Sequence, residues 1–339
     1  MIEVEHLSKI YGSTAAIQDV TFSVEPGEIM GFLGPNGAGK TTTMRILAGF
    51  LPATRGTAKV AGFEVHEHSM QVRQNIGYLP ETPPLYSEMT IEGFLDFVAR
   101  IKGVNAGNRP DRINYALEKC NLTGQRRTLI KKLSKGFRQR VGIAQAIVHD
   151  PPVIILDEPT VGLDPKQIID VRDLIRGLAG DHTVILSTHI LPEVSATCDR
   201  VTIINKGLIV ATNKPENLMS DLHLSTSYEI ETGGDYMQLS EVLTGIPNLV
   251  DFTPIGTGLI HEGRFRVRVT TNIQSDIGPD LSTALVMSGI PLYEMRRIQA
   301  TLEDVFLNLT TEDVEILAKS QEVLQDSANS MVQAEEETS

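Results

Sequence analysis

Residues 28–43 read EIMGFLGPNGAGKTTT, and the order of residue types in them decides the fold. An apolar segment, IMGFL, ends in a glycine-rich loop, GPNGAGKTT (34–42), with the spacing G-x-x-x-x-G-K-[ST] of a phosphate cradle. Gly34, Gly37 and Gly39 let the backbone wrap closely enough for successive N–H groups to point at phosphate oxygens, with Pro35, Asn36 and Ala38 between them. Residues 41–47 are predicted to continue as a helix, whose positive N-terminal end faces the same anion. Lys40 then places a compact charge at the β- and γ-phosphates. The Thr41 hydroxyl is positioned for Mg²⁺, and Thr42 closes the motif. A nucleotide is the implied ligand.

Working outward, the run VIILDEP (153–159) supplies the other half of such a site. Val153 to Leu156 form a continuous apolar strand of the kind buried on both faces. Asp157 ends it, where a carboxylate is costly unless it meets a cation or donors. Mg²⁺, through its water shell, is the expected partner. Glu158 follows and projects differently, so it can polarise an attacking water; a positioned base contributes about 10²–10⁴-fold. TVILSTH (183–189) reads as a neighbouring strand, which would bring the His189 ring to the γ-phosphate and that water.

Across residues 1–220, short apolar strands alternate with helical segments, which implies a parallel sheet with helices over its faces. Chemistry in such sheets collects where strands end and helices begin. After residue 222 the texture changes. YEIE (228–231) and RFRVRVT (264–270) alternate polar and apolar residues as half-exposed strands do. With helices expected at 238–243 and 281–288 and a last strand in IPLYEMRRI, residues 221–310 are predicted to form a small ferredoxin-like α+β domain. TLEDVFLNL (301–309) reads as a closing helix. Residues 311–339 are expected to be helical and then disordered, ending in an acidic tail that has no basic residue from 325 onward.

With 41% hydrophobic and 22% charged residues among 339, the composition is that of an ordinary soluble protein. No apolar stretch approaches the ~18–20 residues that cross a bilayer. The start, MIEVEHLSKIYG, lacks the layout of a secretory signal, so a cytoplasmic address is expected. Cys120 and Cys198 are too few for a disulfide framework and are expected to be buried. A net charge of −13 argues against nucleic acid or anionic lipid as a partner, so a protein is expected to hold the chain at any membrane it serves.

Over its first 220 residues the chain closely resembles the ATPase subunits of ATP-binding-cassette (ABC) transporters. Residues 34–42 match the Walker A loop of that family, residues 153–158 the Walker B strand, and LSKGFRQR (133–140) the signature that names it. VGLDP, with Asp164, matches the D-loop, His189 the switch histidine, and Tyr11 stands where the family stacks an aromatic ring on adenine. The resemblance implies an ABC-type α/β cassette with a helical signature subdomain at about 85–150. It implies two cassettes, as a homodimer or pseudo-homodimer, facing head to tail around two ATP molecules. Ser134 and Gly136, at the start of a helix expected near Phe137, would then complete the nucleotide site of the other subunit. Integral membrane permease subunits would be the second partner, with export the implied direction.

Two departures stand out. Glu81, in YLPETPP, replaces the usual Gln and can still reach Mg²⁺ while adding negative charge. Lys135 and Phe137 replace Gly and Gln of the common signature. These forms resemble the branch serving multidrug, gliding-motility and copper-processing exporters, which commonly carries a C-terminal extension ending in a segment like TLEDVF. The alternative is a non-transport ABC ATPase acting on ribosomes or DNA. A single phosphate loop, the absence of sustained heptads and the acidic balance all disfavour it.

Overall fold

The computed structural model describes residues 1–221, 227–255, 264–271 and 276–298; the expected closing helix at 301–309 and the tail at 311–339 lie outside them. The chain divides into two compact units, Met1–Pro215 and Glu216–Ser339. No helix among the described residues is long and apolar enough to cross a membrane.

In the first unit, β1 (Ile2–Tyr11) and β2 (Thr14–Val24) form an antiparallel hairpin with alternating burial. β3 (Ile29–Leu33) is buried throughout and runs through the glycine loop into α1 (Lys40–Leu47). β4 (Arg55–Val60) and the short β5 (Phe63–Glu64) complete a four-stranded sheet in the order β2-β1-β4-β5. α2 (Ser69–Asn75) leads into β6 (Ile76–Leu79). Three helices follow: α3 (Ile91–Ile101), α4 (Arg109–Lys119) and α5 (Lys135–Ile147). The Thr90 hydroxyl caps α3 by accepting from the Gly93 N–H at 3.1 Å. Next come β7 (Val153–Asp157), α6 (Pro165–Arg176), β8 (Thr183–Thr188), α7 (Leu191–Thr197), β9 (Arg200–Asn205) and β10 (Leu208–Asn213), with α8 (Pro215–Asp221) at the unit boundary.

The second sheet has the order β10-β9-β3-β8-β7-β6 and is parallel except for the β10–β9 pair. Its fully buried central strands β3, β7 and β8 are the continuous apolar runs legible in the sequence. Their register pairs Leu33 with Thr188 and Asp157 with Ser187. The glycine loop, the acidic pair and His189 therefore leave the sheet side by side. Phe22 and Phe32, with ring centroids 5.3 Å apart, join the two sheets in one apolar core.

Two local details differ from expectation. α5 starts at Lys135, two residues before Phe137, because the Ser134 hydroxyl accepts from the Phe137 N–H at 3.4 Å and caps the helix there. β8 ends at Thr188, one residue short of His189.

The second unit contains β11 (Ser227–Gly233), α9 (Tyr236–Thr244), β12 (Leu249–Ile255), β13 (Arg264–Thr271), α10 (Gly278–Met287) and β14 (Leu292–Ile298). The sheet is antiparallel in the order β12-β13-β11-β14, the ferredoxin-like arrangement expected. Tyr228, Ile230, Val267 and Val269 of the sheet share a core with Leu239 and Leu243 of α9 and Leu281 and Leu285 of α10.

One contact in the first unit ties the helical segment to the sheet. A Cβ at Gly77 of β6 would lie 2.1 Å from the Ala146 carbonyl oxygen, so α5 rests on β6 backbone to backbone. Gly77→Ala forces that helix outward. Overpacking costs about 1–3 kcal/mol, and a backbone obstacle puts this variant at the upper end. A urea-unfolding midpoint unchanged from wild type would refute the close contact.

Candidate active site

At the C-terminal ends of β3, β7 and β8 lies an open cavity of about 400 Å³. Of the residues predicted from sequence, Asn36, Gly37, Gly39, Lys40, Thr41, Thr42, Glu81, Glu158 and His189 line it. The loop needs its glycines here: Gly39 has φ 109°, and a Cβ on it would meet the Ala16 carbonyl oxygen at 2.6 Å.

Lys40 is buried, and its ammonium donates to the carbonyls of Gly34 at 2.8 Å and Pro35 at 3.2 Å. It also pairs with Glu158 Oε1 at 3.2 Å. The second oxygen of Glu158 lies 2.9 Å from His189 Nδ1. Glu158 is thus held between a lysine and a histidine at the cavity wall. Its backbone is in the left-handed region, at φ 50°, a strained conformation for a non-glycine residue. That conformation turns Glu158 out of the line of β7 and fixes where its carboxylate stands. Asp157 keeps to the strand and stays buried, with Oδ1 accepting from Ser187 at 2.5 Å and Thr41 at 3.3 Å. Its Oδ2 is buried and has no hydrogen-bond partner.

The structure does not bring every predicted residue to this cavity. Tyr11 is about half exposed on the β1–β2 hairpin and does not line it. Ser134, Gly136 and Asp164 are also absent from its lining. Ser134 caps α5, Asp164 caps α6 through the Gln167 N–H at 3.0 Å, and Gly136 is so closely covered that a Cβ would meet the Gln167 side chain at 2.5 Å.

A family model for ABC transporters matches residues 17–161. The chain is 32% identical over 318 residues to the ABC transporter ATP-binding protein YhcH of Bacillus subtilis, covering 93% of this chain and 97% of that one. The chain belongs to the ABC transporter ATP-binding family. It is an ATP-binding, ATP-hydrolysing subunit of a transporter. It is also 31% identical over 316 residues to the Nod factor export ATP-binding protein I of Ralstonia nicotianae, covering 93% of this chain and 95% of that one. Among solved structures, the ATP-binding subunit of an ABC transporter superposes with a TM-score of 0.60 at 31% identity, over 66% of this chain and 93% of that one.

Within this ABC site, several participants escaped the sequence. Ala16 and Val161 line the cavity, and Ser187 supports both acidic residues. Its hydroxyl donates to Asp157 and accepts from the Glu158 N–H at 3.1 Å. Ser187 lies in an ordinary apolar strand, and only the β7–β8 register reveals its partners. Burial pushes the Asp157 carboxyl above its ordinary range; the Ser187 and Thr41 hydroxyls pull it back, while the charges of Glu158 and Glu81 push it further up.

Ser187→Ala removes the strongest of these supports, a hydrogen bond to a charged group worth about 1.5–3 kcal/mol. A carboxyl raised above its unfolded value stabilises the fold while protonated, and that contribution is lost as pH rises through the folded value. Removing Ser187 raises that value further. In chelator without nucleotide, the destabilisation measured by urea unfolding is therefore expected to be larger near neutral pH than in mild acid. Equal losses at both would overturn the assignment of Ser187 as the support of the ionised form.

Proposed function

We propose that this subunit powers export through a separate membrane permease by hydrolysing ATP between two cassettes held head to tail. The observation that carries it is Glu158, strained, buried and gripped by Lys40 and His189 beside the phosphate loop. The likeness to a Nod factor export protein supports the direction.

In this mechanism the loop amides of residues 36–42 and the Lys40 ammonium hold the β- and γ-phosphates. An arriving γ-phosphate competes for Lys40 and so frees Glu158 to accept a proton from the attacking water. His189 holds the other Glu158 oxygen and orients the water. The Thr41 hydroxyl and the unpaired Asp157 Oδ2 fit Mg²⁺, with Glu81 within reach, and Mg²⁺ when bound supplies charge neutralisation at the phosphates. Among the described residues no three acidic, His or Cys side chains cluster as a metal cage, which suits an ion held chiefly by phosphate and water. Tyr11 stacks on adenine. Ser134 and Gly136, together with the neighbouring D-loop of Asp164, serve the site of the second cassette, where the capped N-terminus of α5 meets the γ-phosphate. Opening after hydrolysis follows from loss of those shared contacts.

The permease is assigned to a second cavity of the same unit, of about 510 Å³. Phe50, Met70 and Ile101 line it while each remains more than 60% exposed, an apolar surface of the kind that marks a protein partner. Lys102 also lines it. Its ammonium donates to the Arg73 and Ile76 carbonyls at 2.7 and 2.9 Å, and no carboxylate among the described residues pairs with it. Burial holds its pKa down to about 8. The occupant that fits is an apolar permease helix bearing a carboxylate for Lys102.

Glu158→Gln is expected to lower steady-state ATPase at least about a hundredfold, the lower end of what a general base contributes, while leaving an ATP-held dimer in sedimentation. Adding Ser134→Arg should dissolve that dimer without loss of nucleotide binding. Full turnover in Glu158→Gln would exclude Glu158 as the base. For the permease surface, Ile101→Asp should leave the ATPase of the isolated subunit within about twofold while abolishing co-purification with the permease, as truncating an interface anchor does. Co-purification at the wild-type level would exclude this cavity.

A further inference from the structure

α7 begins two residues after His189 and buries Leu191, Val194 and Thr197, as an amphipathic turn should. It also buries Glu193, which is only 5% exposed and does not line the phosphate cavity. A buried carboxylate is costly unless something holds it. Glu193 Oε2 accepts from the Thr188 hydroxyl at 2.9 Å. The same hydroxyl accepts from the Ile190 N–H at 3.0 Å. Thr188 and Ile190 are the two residues flanking His189, so one hydroxyl, oriented by one carboxylate, closes the turn on which the histidine stands. The other oxygen, Oε1, is buried, and the Thr160 hydroxyl, two residues after Glu158, stands beside the same carboxylate. Burial pushes the Glu193 carboxyl above its ordinary range; the Thr160 and Thr188 hydroxyls pull it back and the charge of Glu158 raises it.

We infer that Glu193 is a positioning residue for ATP hydrolysis, acting through the Thr188 hydroxyl to aim His189 at Glu158. The inference rests on the roles proposed above for His189 and Glu158. The side chain of His189 is itself 39% exposed, and among the described residues its ring is hydrogen-bonded to Glu158 and to nothing else that would fix where it points. The backbone turn that carries it must do so. An acceptor that only filled space could be replaced by any side chain of its size. An acceptor that orients the Thr188 hydroxyl demands an oxygen at Oε2 and a hydroxyl at residue 188.

The test is a set of four single variants and one double, read by steady-state kinetics with MgATP. Glu193→Ala and Thr188→Val each remove one half of the link, and each should lower kcat roughly ten- to hundredfold, the scale of a small misplacement of a reacting group, with KM for ATP within about twofold. The double variant should be no worse than the more damaged single one, because both cut the same link. Glu193→Gln keeps an oxygen acceptor and Thr188→Ser keeps the hydroxyl, so both should retain most of the wild-type rate. Additive losses, a KM rise that accounts for the fall in kcat/KM, or a Glu193→Gln variant as slow as Glu193→Ala would each overturn the positioning role. Should Glu193→Ala fail to fold, the contrast between Thr188→Val and Thr188→Ser decides alone. Glu158→Gln run in parallel separates the two levels: if it is inactive while Glu193→Ala and Thr188→Val turn over normally, only the positioning role fails, whereas an active Glu158→Gln fails the reading beneath it.

Discussion

Lys40, Asp157 and Glu158 are all buried, Lys40 and Glu158 in the wall of the phosphate cavity and Asp157 beside it, and no one of them could be buried alone. Breaking a buried pair by removing one member costs about 3–5 kcal/mol, because the other charge is left without compensation. The strand order answers this constraint. β3 delivers the lysine through a loop that a side chain at Gly39 would obstruct, and β7, one strand removed, delivers the two carboxylates. β8, between them, contributes Ser187 from its last turn of register and His189 from just beyond its end. The Lys40–Glu158 contact satisfies both charges at once. In the proposed mechanism a phosphate entering the cavity changes the lysine's partner, so binding of the substrate and release of the base become one electrostatic event.

Much of this was legible from the chain alone because its signals are local. A glycine loop with fixed spacing, a run of apolar residues ending in Asp-Glu, and a second run ending in Ser-Thr-His each carry their meaning within ten residues. The α+β order of the second unit was legible for the same reason, through alternating strands such as RFRVRVT. Ser187, Thr188 and Glu193 were not. Ser187 and Thr188 look like the polar end of a strand, and Glu193 looks like any acidic residue in a first helical turn, where it would serve the helix dipole from the surface. The Ser187 contacts appear only when β7 and β8, some thirty residues apart in the chain, come into register, and the Thr188–Glu193 bond only when α7 turns back and buries Glu193. The start of α5 lies ahead of the expected position for a related reason: the Ser134 hydroxyl caps its own helix, a contact that its place in the signature does not announce.

The second unit keeps its charges on the other side of the ledger from its core. On β11, Tyr228 and Ile230 face the helices while Glu229 and Glu231 face away, opposite Arg268 and Arg266 of β13. Those pairs are joined at 2.9 Å with their arginines about half exposed at the surface, where ion pairs contribute little. They fix strand register and keep the face soluble, while the apolar cluster beneath supplies the stability. The first unit does the reverse around its site: Lys40, Asp157 and Glu158 are buried, and the exposed surface near Ile101 is apolar.

That inversion places the two cavities of the first unit in physical connection. Residues 80–84 read PETPP; Glu81 lines the phosphate cavity, while Pro80 and Pro84 line the apolar one. Proline locks φ and removes a donor, so a segment with three prolines in five residues has few ways to absorb a displacement within itself. Under the proposed function, a movement of Glu81 toward or away from a phosphate would therefore be passed to the apolar wall, where a permease helix is proposed to sit. A carboxylate at Glu81, in place of a neutral side chain, would sharpen that dependence, since a charge is acted on directly by the arrival and loss of phosphate. Stiffness between the sites and charge at one end are what a coupling element requires, and this short segment has both.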